Sequence, residues 1–172
     1  KDSKVGLGHK GFNIESDPDM SVREAARRRD LTINSIAYDP VTKKIIDEYG
    51  GVQDIKDKKL RATDPATFIE DPLRVLRVMQ FSSRFGFTPD ENLVKLCQSI
   101  DLSSLPKERI YGEFEKFLVK GTYPSIGFKL IWLLGINKIL PELDELVNVE
   151  QDSKWHAEGS LFQHEVLVLD SA

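Results

Sequence analysis

Asp71 and Arg74 stand three residues apart in the stretch Glu70-Asp71-Pro72-Leu73-Arg74-Val75-Leu76-Arg77. At a helix start that spacing puts both side chains on one face. A carboxylate accepts hydrogen bonds, and a guanidinium donates them through a planar fork. Side by side, the two can read the edge of a nucleobase. The plainer reading of the same residues is an aspartate N-cap followed by a surface arginine. The element that must position them is a helix. Asp71 can cap it, and Pro72 suits the first helical position, where a missing N–H is no loss. Leu73, Leu76 and Phe81 then form an apolar row at near-helical spacing, up to a stop at Gly86.

Upstream, Arg28-Arg29-Asp30-Leu31-Thr32-Ile33-Asn34 sets two guanidiniums beside a carboxylate, with an amide four residues on. Arg-Arg-Asp followed at this distance by Glu-Asp-x-x-Arg resembles the bacterial tRNA nucleotidyltransferase (CCA-adding enzyme) and poly(A) polymerase family. Most of the chain lies on that pattern. Gly8-His9-Lys10-Gly11-Phe12 resembles the run before Arg-Arg-Asp. Asp47-Glu48-Tyr49-Gly50-Gly51 with Asp54 resembles the linker motif between head and neck. Lys107-Glu108-Arg109-Ile110 with Glu113 resembles the later helical motif. Each motif alone is weak, but two long ones in the right order are specific.

The resemblance implies that Asp71 and Arg74 act as a protein template for the incoming nucleotide. Cytosine and adenine each present an exocyclic amine beside a ring nitrogen. Asp71 can accept from the amine while Arg74 donates to the ring acceptor. Uracil and guanine put a carbonyl oxygen against the carboxylate, at a cost on the order of 1–3 kcal/mol or more. CTP and ATP would then be preferred without any nucleic-acid template. Arg28, Arg29, Asp30 and Asn34 resemble the family's ribose-recognising motif. Asp30 would accept from the 2′-OH that separates NTP from dNTP, and Arg29 would hold the triphosphate or ribose. The plainer reading is an exposed basic helix end with Asp30 paired to an arginine. Arg77 resembles a triphosphate-binding arginine, against the alternative of a solvated helix face. Three residues beyond it the family often has another arginine, whereas this chain has Gln80, which removes a possible phosphate contact. Glu70 reads as bracing the turn or pairing an arginine.

Nucleotidyl transfer also needs carboxylates that hold two Mg2+. In the family these come from an Asp-x-Asp motif after a glycine-rich strand, upstream of Arg-Arg-Asp. Asp17-Pro18-Asp19 has the spacing without the glycine-rich run and reads as a turn. No catalytic residue is therefore assigned to this chain. Mg2+ is expected in the full-length enzyme, and this chain alone should bind nucleotide weakly and not transfer it. His156, Glu158, His164 and Asp170 resemble the opening of an HD-type metal phosphohydrolase domain, with His164 as the first ligand of an incomplete site. Surface residues on an incomplete element are the alternative there. Both ends read as cut, so the expectation is a piece of a longer protein.

Composition narrows the rest. A chain of 172 residues has room for one or two small domains. No apolar run is long enough to span a membrane. The single Cys97 sits with Leu93, Leu96 and Ile100 in an apolar helical pattern and reads as a buried structural thiol. An intrachain disulfide is impossible, which fits a reducing cytoplasm. The net charge of −4 is uneven. Residues 141–172 hold 8 Asp/Glu and one basic residue, Lys154, which leaves 23 Lys/Arg against 20 Asp/Glu before them. That front is mildly basic, so phosphate binding must be local and shaped.

The expected fold is α+β: part of a nucleotidyltransferase head over 1–62, an all-α neck and body over 63–148, and the start of an HD-like domain over 149–172. Residues 6–15 read as extended. Ser21-Val22-Arg23-Glu24 has the capping-box form and opens a helix to Arg27. A hairpin is expected from Ile36–Tyr38 to Ile45-Ile46, then a helix over Val52–Asp57 and a strand over Leu60–Ala62. Past Thr63 strand signals vanish and helix starts follow at Asp64-Pro65, Asp71-Pro72, Asp90, Pro106 and Tyr123-Pro124. The helix from Pro106 should bury Ile110, Phe114, Phe117 and Leu118, and Ile136–Leu140 should close the bundle. The function implied is addition of C and A from CTP and ATP to tRNA 3′ ends, in the cytoplasm. A bacterial poly(A) polymerase, or a non-catalytic RNA-binding module on the same fold, is the alternative; the HD-like start favours the tRNA enzyme.

Overall fold

The computed structural model describes residues 2–4, 12–14, 20–147, 149 and 160–171, with side chains from residue 20 onward. The front is mixed. Strands β1 (Asp2–Lys4) and β2 (Phe12–Ile14) pair antiparallel. Ser21 caps α1 (Val22–Arg27) through a reciprocal box with Glu24. One turn of 3-10 helix follows at Thr32–Asn34. The expected hairpin forms from β3 (Ala37–Asp39) and β4 (Lys44–Ile46), with Asp39 opposite Lys44. The Asp39 carboxylate orders its loop by accepting from Val41 N, Thr42 N and the Thr42 hydroxyl. Next come α2 (Gly51–Lys56) and the short strand β5 (Lys59–Leu60). Ala62 lies outside that strand and bridges Leu31 instead.

Helices dominate afterwards. Asp64 caps α3 (Pro65–Phe68), and α4 (Leu73–Phe85) runs to Gly86, whose φ of +67° suits glycine. Asp90 caps α5 (Glu91–Gln98); α6 (Lys107–Val119) and α7 (Pro124–Leu133) follow their prolines. A 3-10 turn at Ile136–Ile139, α8 (Glu142–Val147) and α9 (Leu161–Leu169) complete the order. One strand does occur past Thr63. The two residues of β6 (Thr88–Pro89) pair parallel with β5. Pro89 has no N–H, so the ladder is carried by Thr88 N to Lys58 O and Asp90 N to Leu60 O.

The core is built around α4. Leu73, Val75, Leu76, Val78, Met79 and Phe81 are all buried on it, as are Ser82 and Ser83. That is wider than a single apolar row, because α6 and α7 both pack on it. Tyr123 N donates to Ser83 O, and Ser83 Oγ donates to Phe117 O. Gly127 is what lets α7 come close: a Cβ there would sit 2.7 Å from the Phe117 ring and 2.9 Å from the Ser83 Cβ. On α6 the buried positions are Glu113 and Phe117, with Ile110 and Phe114 half-buried, while Leu118 is 50% exposed, contrary to the expected face. Leu118 lies one position past the inward stripe 110-114-117 and rotates out to solvent. Cys97 is buried, and burial pushes its thiol up to about 12.

Candidate functional site

The Arg-Arg-Asp segment is held from behind by the motif that follows it. Arg28 closes α1, and the chain then runs beside residues 61–63: Thr32 N donates to Arg61 O and Thr63 N to Asp30 O. Asp47 accepts from Gly51 N at 2.8 Å and Val52 N at 2.9 Å, fixing the start of α2. Gly50 has a φ of +78°. A Cβ on Gly51 would lie 2.2 Å from Thr32 O, so only glycine permits this approach. Buried Asp54 then takes the Thr32 hydroxyl at 2.5 Å and Arg61 Nε at 3.1 Å, while Arg61 Nη2 reaches Tyr49 O at 2.8 Å. The linker motif thus clamps the 3-10 turn that carries Asn34.

Contacts across from α1 fix the start of α4. Arg27 pairs with Asp64, and the Thr67 hydroxyl donates to Arg27 O. Asp71 caps through Leu73 N at 3.2 Å, but the helix begins at Leu73, one residue later than Pro72. Asp71 and Arg74 do not bond each other. Asp71 instead faces Arg109 of α6, with Nη1 to Oδ1 at 3.3 Å and Nη2 to Oδ2 at 3.1 Å. Arg74 is half-buried rather than on the surface, and it donates to Thr67 O and Arg28 O at 2.6 Å each. Burial pulls its guanidinium below the ordinary arginine value.

Asp30 is 6% exposed and carries the site's tightest network. Asn34 Nδ2 donates to Oδ1 at 3.0 Å and Arg77 Nε to Oδ2 at 2.7 Å. Burial alone would raise this carboxyl. The Arg77 charge, the Asn34 amide and the Leu31 N–H outweigh it and hold Asp30 below the usual carboxylate range. Arg77 also lies over the Phe81 ring, 5.1 Å from its centroid. Its contacts are therefore structural as well as cleft-facing. Arg29 is exposed. Gln80 is buried and does not line the cleft.

An open cleft of about 510 Å³ gathers Arg28, Arg29, Asp30, Asn34, Asp71, Leu73, Arg74, Arg77 and Arg109. Every residue that the two motifs singled out as nucleotide-binding lines it. Five arginines face two aspartates there, an environment suited to phosphate. Arg109 was not foreseen as a cleft residue. It was visible as part of the later helical motif, but its partner lies 38 residues away, beyond the reach of local spacing. The donor set does not suit a divalent cation, since both carboxylates already hold arginines. Among the described residues, no three His, Cys, Asp or Glu side chains come together for a metal.

In the tail, Asp170 is committed elsewhere: it accepts from Ser125 N at 2.9 Å and the Ser125 hydroxyl at 2.5 Å, which caps α7. His164 lies on α9. His156 and Glu158 lie outside the described residues, as do Gly8-His9-Lys10-Gly11 and Asp17-Pro18-Asp19. No helix among the described residues is long and apolar enough to cross a membrane.

Comparison with known proteins agrees with this geometry. Residues 8–61 match the poly A polymerase head domain, and residues 86–147 match the probable RNA and SrmB-binding site of polymerase A. A multifunctional CCA protein of Stenotrophomonas maltophilia (strain K279a) is 40% identical over 98% of this chain and 43% of its own length. Its counterpart in Pasteurella multocida (strain Pm70) is 42% identical over 98% of this chain and 41% of its own length. The crystal structure of the Bacillus stearothermophilus CCA-adding enzyme in complex with CTP superposes with a TM-score of 0.60 and 32% identity, covering 64% of this chain and 29% of that one. The chain spans about two fifths of the length of the curated relatives it matches. With both motifs converging on one arginine-lined cleft and this similarity running along nearly the whole sequence, the chain belongs to the tRNA nucleotidyltransferase and poly(A) polymerase family.

Proposed function

We propose that the whole protein is a template-independent nucleotidyltransferase that adds C and A from CTP and ATP to tRNA 3′ ends. In this reading the chain supplies the part that selects base and ribose. The observation that carries it is the convergence of Asp30, Asp71 and Arg74 on one cleft among five arginines. Asp71 reads the exocyclic amine, and Arg74 reads the ring nitrogen. Two of Arg74's five N–H groups go to backbone carbonyls, which anchors the fork and leaves three donors. Asp30 receives Asn34, Arg77 and the Leu31 N–H, and an ionised carboxylate has about four acceptor positions. One position remains for a ribose hydroxyl. Exposed Arg29 and half-buried Arg28 supply charge for the triphosphate.

The division proposed is a head over 1–62, a neck and body over 63–148 and the start of an HD-like domain from 149. The limits of the two family matches support the first two parts. Chemistry in this family depends on metal, and we take it to be Mg2+, held by carboxylates of the longer protein. A cytoplasmic setting follows from tRNA as substrate. The alternative is a bacterial poly(A) polymerase, which the two family descriptions favour. The test is to give the full-length protein tRNA lacking its 3′ end, with CTP and ATP, and to sequence the product. Ends reading CCA support the proposal. A tract of A alone supports the alternative, and unextended RNA contradicts both.

A further inference from the structure

We infer that Arg109 is a positioning residue for base selection, holding the Asp71 carboxylate in the orientation from which it reads an amine. This rests on the reading of Asp71 as part of the template. Without Arg109, Asp71 would keep one anchor, the Leu73 N–H at 3.2 Å on Oδ1. A single hydrogen bond to one oxygen leaves the carboxylate plane free to turn. The Arg109 fork engages both oxygens, at 3.3 and 3.1 Å, and a two-point contact fixes that plane.

Counting acceptors gives the carboxylate a direction. Oδ1 receives two donors, Leu73 N and Arg109 Nη1, which fill its two lone pairs. Oδ2 receives only Arg109 Nη2 among the bonds formed here, so its second lone pair is the one left for a base. Arg74 cannot take over this task, because its fork is tied to the Thr67 and Arg28 carbonyls. The pair is also sheltered: the side chains of Arg109 and Asp71 are 22% and 25% exposed. It is therefore screened less than an open surface pair.

Arg109 comes from a different helix from the residue it holds. The packing of α6 on α4, seen in the Ser83 hydroxyl bond to Phe117 O, sets where the fork stands. A lysine at this position would keep the charge but lose the two-point geometry. Charge and orientation can thus be separated experimentally.

The experiment uses the full-length enzyme. kcat/KM is measured for CTP, ATP, UTP and GTP in wild type, Arg109→Lys, Arg109→Gln, Asp71→Ala and the Asp71→Ala/Arg109→Gln double variant, with Tm recorded for each. Arg109→Lys and Arg109→Gln should each narrow the CTP:UTP and ATP:GTP ratios by about tenfold, the scale of one charge-assisted hydrogen bond. In the Asp71→Ala background, Arg109→Gln should narrow them no further. If Asp71→Ala relaxes the ratios while both Arg109 variants lower all four rates equally, or lower only Tm, the inference is overturned and the template reading stands. If Asp71→Ala itself leaves the ratios unchanged, the template reading falls and takes this inference with it.

Discussion

Asp30 joins two demands in one carboxylate: it must stay ionised while buried, and it must keep one acceptor position open. Arg77 and Asn34 meet the first demand. The consequence is a pH dependence with a definite sign. The folded-state carboxyl sits below its ordinary value of 3.8. Its contribution to stability is therefore complete above that value and is lost as pH falls through the lower, folded one. Asp30→Asn removes the contribution. The Tm gap between wild type and Asp30→Asn should be constant from pH 7 to about pH 5 and should shrink below about pH 4. A gap that stays constant down to pH 3 would mean that the ion pair does not stabilise the fold. Asp54 is a second residue with a similar burden, since it alone joins the Thr32 hydroxyl to Arg61. Asp54→Ala should cost about 1–3 kcal/mol in urea unfolding, because it strands both partners.

Among the elements, the contact of α7 with α4 and α6 depends on a missing side chain. Gly127→Ala would press a methyl group onto Phe117, which is 1% exposed and cannot swing out. Alanine favours a helix over glycine by about 1 kcal/mol, but overpacking typically costs about 1–3 kcal/mol. The variant should therefore lower the urea midpoint without changing the slope. The starts of α1, α5, α6 and α7 were legible because Ser21, Asp90, Pro106 and Pro124 are local signals. The hairpin was legible for the same reason. Other features depend on distant partners. That α4 is buried well beyond one stripe follows from two helices packing on it, which no window of sequence displays. The six-residue α8, half of it acidic, offered no periodic signal. Paired β6 depends on β5, nearly thirty residues earlier.

In the whole molecule, the two motifs form one site because the front and the helices are bonded together beside it. Arg74 bridges the Arg28 and Thr67 carbonyls, Arg77 reaches Asp30, and Arg27 pairs with Asp64. The residues that line the cleft are the same ones that dock the front on the helices. The list of cleft residues could be drawn from the motifs, but their partners could not. Asp71 and Arg74, neighbours in sequence, are held by different partners: Arg109 on one side and two carbonyls on the other. This arrangement leaves each with spare hydrogen-bonding capacity of opposite kind at one cleft.

The measurement that tests this most directly is kcat/KM for CTP, ATP, UTP and GTP in the full-length enzyme, for wild type and Arg74→Ala, each read as ratios within one protein. Arg74→Ala should let UTP and GTP compete with CTP and ATP, by about tenfold or more in the ratios, in a protein that still folds. A uniform loss across the four nucleotides, or a loss of stability with the ratios intact, would make Arg74 a backbone clamp and contradict its role in reading the base.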